Sequence, residues 1–176
     1  MGAPVHPAVH RGGPAPPAPP GDRWCVDETY GKVAGKWRYL YRAVDQFGQV
    51  IDVLVARKRD KTAARRFCTR ALAAATSPTE VTTDRAPAYP RIVEDMLPVA
   101  RHVTVRYVNN RVEADHGRLK ARLGPMRGIK TDRSLRIIAT GHAFIQNLRR
   151  GHYELATDAT ARDRVAVAFT ELALAI

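Results

Sequence analysis

Two acids sit in positions where an acid is hard to accommodate, and a third lies in strongly basic surroundings. Asp27 interrupts the run RWCVDETY, an aromatic and β-branched segment with the composition of a strand. A carboxylate inside such a strand must be paired, hydrogen-bonded or bound to a metal. Asp84 closes a second short strand-like run, Glu80 to Thr83. Glu113 lies between Arg101 and Arg150, a stretch with twelve Lys or Arg and three acids, which carries nine of the twelve net positive charges. If the first and fourth strands are neighbours, the three carboxylates converge at one sheet edge. Held that close they repel, and divalent cations are the usual remedy. Two Mg²⁺ ions ~3.5–4 Å apart suit in-line attack on a phosphodiester, one activating the nucleophile and one stabilising the leaving oxygen. Asp and Glu select such hard, oxygen-seeking metals, Mg²⁺ with Mn²⁺ as a substitute. Taken alone, three acids among seventeen read more readily as salt bridges to nearby arginines.

The elements that must position these acids follow from periodicity. RWCVDETY, KWRYLYRAVD and QVIDVLVAR read as three consecutive antiparallel strands, separated by GKVAG and the Gln46-Phe47-Gly48 turn. Alternation in the second puts Trp37, Tyr39, Tyr41 and Ala43 on one face, Leu40 and Val44 on the other. After Arg59 the period turns helical: Ala64, Phe67, Cys68, Ala71, Leu72 and Ala75 form a stripe, with Asp60 as N-cap and Pro78 beyond the end. The fourth strand follows at Glu80 to Thr83, then a short helix over Ala88 to Met96 and a fifth strand over Arg101 to Tyr107. Two further helices span Asn110 to Leu123 and Ser134 to Arg149. At about 100° per residue, Val112, His116, Leu119 and Leu123 make the apolar stripe of the first, and Glu113 and Lys120 fall together at its margin. Arg111, Arg118 and Arg122 flank the opposite margin. The order implies an α/β fold, a mixed sheet of three antiparallel strands followed by parallel strands, flanked by helices.

Composition narrows the function classes. With 176 residues the chain holds one compact domain. Lys and Arg number 29 against 17 Asp and Glu, a net charge of +12 that favours an anionic polymer as partner. No apolar run approaches the ~20 residues of a membrane span. Met1 to Pro20 lacks the apolar core of a signal peptide, so a cytosolic location is expected. That stretch holds seven of the twelve prolines, which reads as a disordered leader over 1–21, followed by a main domain over 22–155 and a tail, 156–176, helical from Val165. Cys25 and Cys68 suggest small buried hydrophobes, not a disulfide or zinc framework.

The runs WCVDETY, KWRYLYRAVDQFGQVIDVLVA, TTDRAPAYP, YVNNRVEADHGRLKARLGPMRGIKT and AFIQNLRRGHY resemble, in that order, the Asp-Asp-Glu catalytic domain of bacterial insertion-sequence transposases of the insertion-sequence six family. The resemblance runs from about Arg23 to the C-terminus. It implies an RNase H-like fold, two Mg²⁺ ions, strand transfer of transposon ends into target DNA, a homodimer, and a bacterial cytoplasmic location at the nucleoid. Residue by residue, it makes Asp27 and Asp84 the first two catalytic acids, Glu113 the third, and Lys120 the basic residue seven positions later that contacts DNA. Two features depart from the family pattern: the Pro-rich leader stands where the family places a helix-turn-helix, and the Asp84–Glu113 interval is several residues short. They leave room for a non-catalytic transposase-derived DNA-binding remnant; an RNase H-like nuclease, which shares the metal logic, is a second rival.

The remaining features have plainer readings. Alternation turns Glu28 away from Asp27, and Asp115 pairs with a nearby arginine. His116, on the apolar stripe, is a hydrogen-bonded core histidine with a positioning role at most. GKVAGK lacks the glycine spacing of a phosphate loop and is no nucleotide site. Trp24 and Trp37 read as sheet core. The basic set Arg111, Arg118, Lys120, Arg122, Arg127, Lys130 and Arg133 reads as a face for the DNA backbone.

Overall fold

The structure is a computed structural model that describes residues 17–104, 110–123 and 128–174; the side chains of 110–115 lie outside the description. Strand β1 (Arg23–Val33) and strand β2 (Lys36–Asp45) form an antiparallel hairpin joined by Ala34 and Gly35. Both linking residues have positive φ, 46° and 78°, as in the two-residue turn whose twist matches the strands. GKVAGK is therefore a hairpin turn. Strand β3 (Val50–Ala56) pairs antiparallel with β2, with a register shift at Ala43/Val44. The Asp45 carboxylate holds the tight turn between them, accepting from the Phe47 and Gln49 amides at 2.9 and 2.8 Å.

Helix α1 (Lys61–Ala74) starts at Asp60, whose side chain accepts from the Ala63 amide, as the sequence indicates. Strand β4 (Glu80–Thr83) then lies parallel to β1, and after helix α2 (Tyr89–Met96) strand β5 (Arg101–Thr104) lies parallel to β4. The sheet order is β3-β2-β1-β4-β5. Helix α3 (Asn110–Leu123), helix α4 (Asp132–Arg150) and helix α5 (Arg164–Leu174) complete the described chain.

Alternation along β1 sorts its side chains between two cores. Trp24 and Val26 join Tyr41, Phe67, Ile92 and Val93 under α1 and α2. Cys25 and Val33 join Leu40, Val44, Leu119 and Leu135 under α3 and α4. Tyr41 and Phe67 stack with ring centroids 5.8 Å apart, and both are shut off from solvent. Helix α4 is capped by Thr131 and ends at Gly151, whose φ of 81° supplies the left-handed turn. Its Asn147 pairs with both backbone groups of Val50, accepting at 2.7 Å and donating at 2.8 Å, so a side chain takes the place of a further strand there. α5 packs on α4 through Phe144 and Phe169, with centroids 6.5 Å apart.

Several expectations change. Trp37 is not sheet core: it is 49% exposed, edge-on to Tyr30 at 5.1 Å with Lys32 over its ring, because the hairpin tip runs beyond the helices. Trp24 is core. Cys68 is buried, and burial pushes its thiol up to about 11; Cys25 is only half-buried. β5 ends at Thr104, and residues 105–107 of the expected strand lie outside the described residues. α4 begins two residues earlier than its pattern suggests, at Asp132, which binds Arg38 and Arg57. The last residues of the Pro-rich leader are fastened: the Ala18 amide donates to the His152 carbonyl at 2.8 Å and the Gly21 amide to Asp45 at 2.8 Å.

Candidate active site

The parallel pairing of β1 and β4 runs from Arg23↔Glu80 to Val26↔Thr83. Carried one residue further, that register sets Asp27 opposite Asp84, at the point where β4 stops. β1 continues past this point with β2 as its partner, while Asp84 opens onto the loop before α2.

Asp27 lies on the α3/α4 face, its side chain 15% exposed. One oxygen accepts from the Glu28 amide at 2.8 Å, and the other lies 3.6 Å from Nδ1 of His116 on α3. Directly across the strand pair stands Arg42, a cation 1% exposed on the same face. The first acid is thus flanked by a buried arginine and a buried histidine.

Asp84 is more open, 38% exposed. One oxygen accepts from the Ala86 amide at 3.0 Å, and the other lies 3.5 Å from Nη2 of Arg59. Arg59 also binds Glu28 on the far face of β1, where the Glu28 side chain is 7% exposed. The second Glu28 oxygen accepts from the Tyr89 hydroxyl at 2.9 Å. Burial works against the Arg59 charge, yet the hydrogen bond and charge of Glu28 outweigh it and hold the guanidinium above its ordinary value. Burial, with Glu28 beside it, also raises the Tyr89 hydroxyl well above the tyrosine range. A cleft of about 770 Å³ opens here, lined among others by Glu28, Arg59, Asp84, Arg85 and Tyr89.

Helix α3 carries the other expected residues. His116 and Leu119 are buried as the stripe requires, and Lys120 is exposed with its ammonium 4.7 Å from the ring centroid of Tyr30 on β1. Lys120 therefore lies along the same strand as Asp27, three residues further on. Arg118, Arg122, Lys130 and Arg133 are exposed. Glu113, Arg111 and Asp115 belong to the first turns of α3, but their side chains lie outside the described residues, and so does Arg127 altogether. Among the described residues no three His, Cys, Asp or Glu side chains form a group that could hold a metal. What the described part supplies is two carboxylates, each one residue past the last β1/β4 pair, oxygen donors of the type a hard divalent cation takes.

Sequence reasoning set Glu28 aside because it points away from Asp27, and it does. It missed that Arg59 reaches around the strand end to join Glu28 to Asp84. The available signal was weak: an Asp-Glu pair in a strand, and an arginine just before a helix.

Residues 21–152 match the family described as DDE domain. The transposase for insertion sequence-like element IS431mec of Staphylococcus aureus is 34% identical over 134 residues, 73% of this chain and 60% of that protein. The transposase for insertion sequence element IS257 in transposon Tn4003, also from Staphylococcus aureus, shows the same identity and coverage. The matched stretch thus spans 60% of the length of these relatives. The HTLV-2 integrase catalytic core domain in complex with magnesium superposes with a TM-score of 0.58 at 17% identity, over 84% of this chain and 96% of that one. A chain of the simian T-cell lymphotropic virus intasome in complex with PP2A regulatory subunit B56 gamma gives 0.57 at 19% identity, over 91% and 60%. The mixed sheet with helices on both faces is the RNase H-like fold of integrase catalytic cores. Among the described residues no helix is long and apolar enough to cross a membrane.

Proposed function

We propose that this chain, which belongs to the DDE domain family of insertion-sequence transposases, is the part of the enzyme that cuts and joins DNA, with Asp27, Asp84 and Glu113 as its acids. The observation that supports the reading is the parallel β1/β4 register, whose last pair, Val26↔Thr83, directly precedes Asp27 and Asp84. Asp27 and Asp84 bind divalent cations, with Glu113 from α3 as the third ligand. Two Mg²⁺ ions, or Mn²⁺ in their place, would supply Lewis-acid activation of the attacking hydroxyl and charge neutralisation at the leaving oxygen when bound there.

The protein's own contribution is positioning. The Glu28 amide and His116 hold the Asp27 carboxylate in direction, with Arg42 across the strand pair. Lys120, exposed along the same strand, contacts the DNA next to the scissile phosphate. Arg111, Arg118, Arg122, Arg127, Lys130 and Arg133 hold the phosphate backbone of double-stranded DNA, transposon ends and target alike, without reading its bases. Two ends must be joined at once, so the working form is a homodimer, and the DNA substrate sets its place at the bacterial nucleoid in the cytoplasm.

Joining of insertion-sequence-end oligonucleotides to a target plasmid tests this reading. Wild-type chain should join in Mg²⁺ or Mn²⁺ and not in EDTA. Asp84→Asn should lower joining at least about 10²-fold with an unchanged melting temperature. Joining that survives Asp84→Asn, or that needs no metal, would overturn the proposal.

A further inference from the structure

In the structure one side of the Asp84 carboxylate faces a protein cation. Arg59 Nη2 lies 3.5 Å from its Oδ2, the other oxygen being engaged by the Ala86 amide. A divalent cation binding Asp84 needs an oxygen lone pair that a guanidinium also seeks. Two cations then compete for one carboxylate, and what decides the contest is how firmly Arg59 is held elsewhere. That hold is Glu28, 7% exposed, bound by Arg59 on one oxygen and by the Tyr89 hydroxyl, at 2.9 Å, on the other. Tyr89 is 1% exposed and fixed at the start of α2, so it fixes the direction of the Glu28 carboxylate. Glu28 in turn fixes the guanidinium, leaving a longer, weaker contact for Asp84.

We propose that Arg59 is a positioning residue for Asp84: Tyr89 and Glu28 hold its guanidinium back, so that it steadies the second acid before metal arrives and gives way when metal binds. The inference rests on the reading of Asp84 as a metal ligand. The arrangement explains a sequence oddity, a second acid placed directly after Asp27 in the same strand. Asp27 serves one face of the sheet, and Glu28 governs from the other face the cation that reaches Asp84. It also keeps Asp84 partnered in metal-free protein, where a lone carboxylate beside Asp27 would be repelled by it.

Equilibrium binding of Mn²⁺ to the DNA-free chain, followed by calorimetry with folding checked by circular dichroism, provides the test. Arg59→Gln removes the competitor and should tighten Mn²⁺ about two- to fivefold, the modest size set by a guanidinium half exposed to water. Glu28→Gln frees Arg59 to close on Asp84 and should weaken Mn²⁺ by a similar factor. The double variant decides between relay and simple charge: in the Arg59→Gln background, Glu28→Gln should change Mn²⁺ affinity hardly at all. Arg59→Lys keeps the charge without the fork and should fall between wild type and Arg59→Gln. If Glu28→Gln weakens Mn²⁺ equally in both backgrounds, or if neither single variant shifts it while folding is intact, the proposal is overturned. Asp84→Asn separates the two readings: loss of Mn²⁺ binding in Asp84→Asn alongside inert Arg59 and Glu28 variants removes only the present inference. Mn²⁺ binding indifferent to Asp84→Asn removes the metal site itself.

Discussion

The two faces of β1 use neighbouring acids in opposite ways. On the α3/α4 face, Asp27 has a buried arginine opposite it and a buried histidine beside it, with little apolar packing of its own. On the α1/α2 face, Glu28 sits at the rim of the larger apolar core, bound to a half-exposed arginine and a buried tyrosine hydroxyl. The first environment sets a cation and an imidazole around the carboxylate. The second spends the charge within the protein. The same residue class, one position apart, meets different partners according to what packs on its side of the sheet.

Exchanging the acids one at a time is the strongest way to break this contrast. Asp27→Asn should cut DNA joining at least about 10²-fold, whereas Glu28→Gln should leave joining far less affected and lower stability by about 1.5–3 kcal/mol through its charged hydrogen bonds. Parallel joining assays and urea titrations read both. Core truncation sharpens the comparison at the next level. Phe67→Ala, on the α1 side, should cost about 3–5 kcal/mol and Leu135→Ala, on the α4 side, about 2–5 kcal/mol, both measured by denaturant unfolding. Equal and small losses would mean that neither face is the main core.

A pH test addresses the α1 face alone. Burial first, then the Glu28 charge, pushes the Tyr41 hydroxyl up to about 12 from 10.0. The folded state binds that proton more tightly than the unfolded one, so the stability it brings is complete below pH 10 and is lost as pH rises from about 10 through 12. Tyr41→Phe should flatten that alkaline decline in unfolding titrations. Cap removal is a smaller effect: Asp60→Ala at α1 and Thr131→Ala at α4 should each cost about 1 kcal/mol of unfolding free energy. Smallest of all, Ala34→Gly at the hairpin should raise stability by about 0.5–1 kcal/mol, since Ala34 holds φ at 46°.

Much of this was legible from spacing. The strand alternation assigned Asp27 and Glu28 to opposite faces, and the helical stripe assigned His116 and Leu119 to the buried side of α3. The N-cap at Asp60 was plain from residue type and position. Partners were not legible. Periodicity tells which way a side chain points and says nothing about what comes to meet it from a distant segment. Arg59 meets Glu28 across 31 positions, and Asn147 meets Val50 across 97. Trp37 was misplaced for the related reason that a strand pattern shows face but not where the covering helices stop. Of the third acid's side chain, spacing states an expectation that falls outside the described residues.

Beyond its hairpin end, β1 has one more fastening. Val33 bridges to Ile129, and the Ala34 amide donates to the Ile129 carbonyl at 2.7 Å. α3 is consequently pinned near Asp27 through His116 and, past its own C-terminus, at the tip of the strand. Sliding the helix by a single turn would displace it about 5.4 Å and break the contact of His116 with Asp27. The stretch from His116 to Ile129 is thus seated on β1 at both of its described ends.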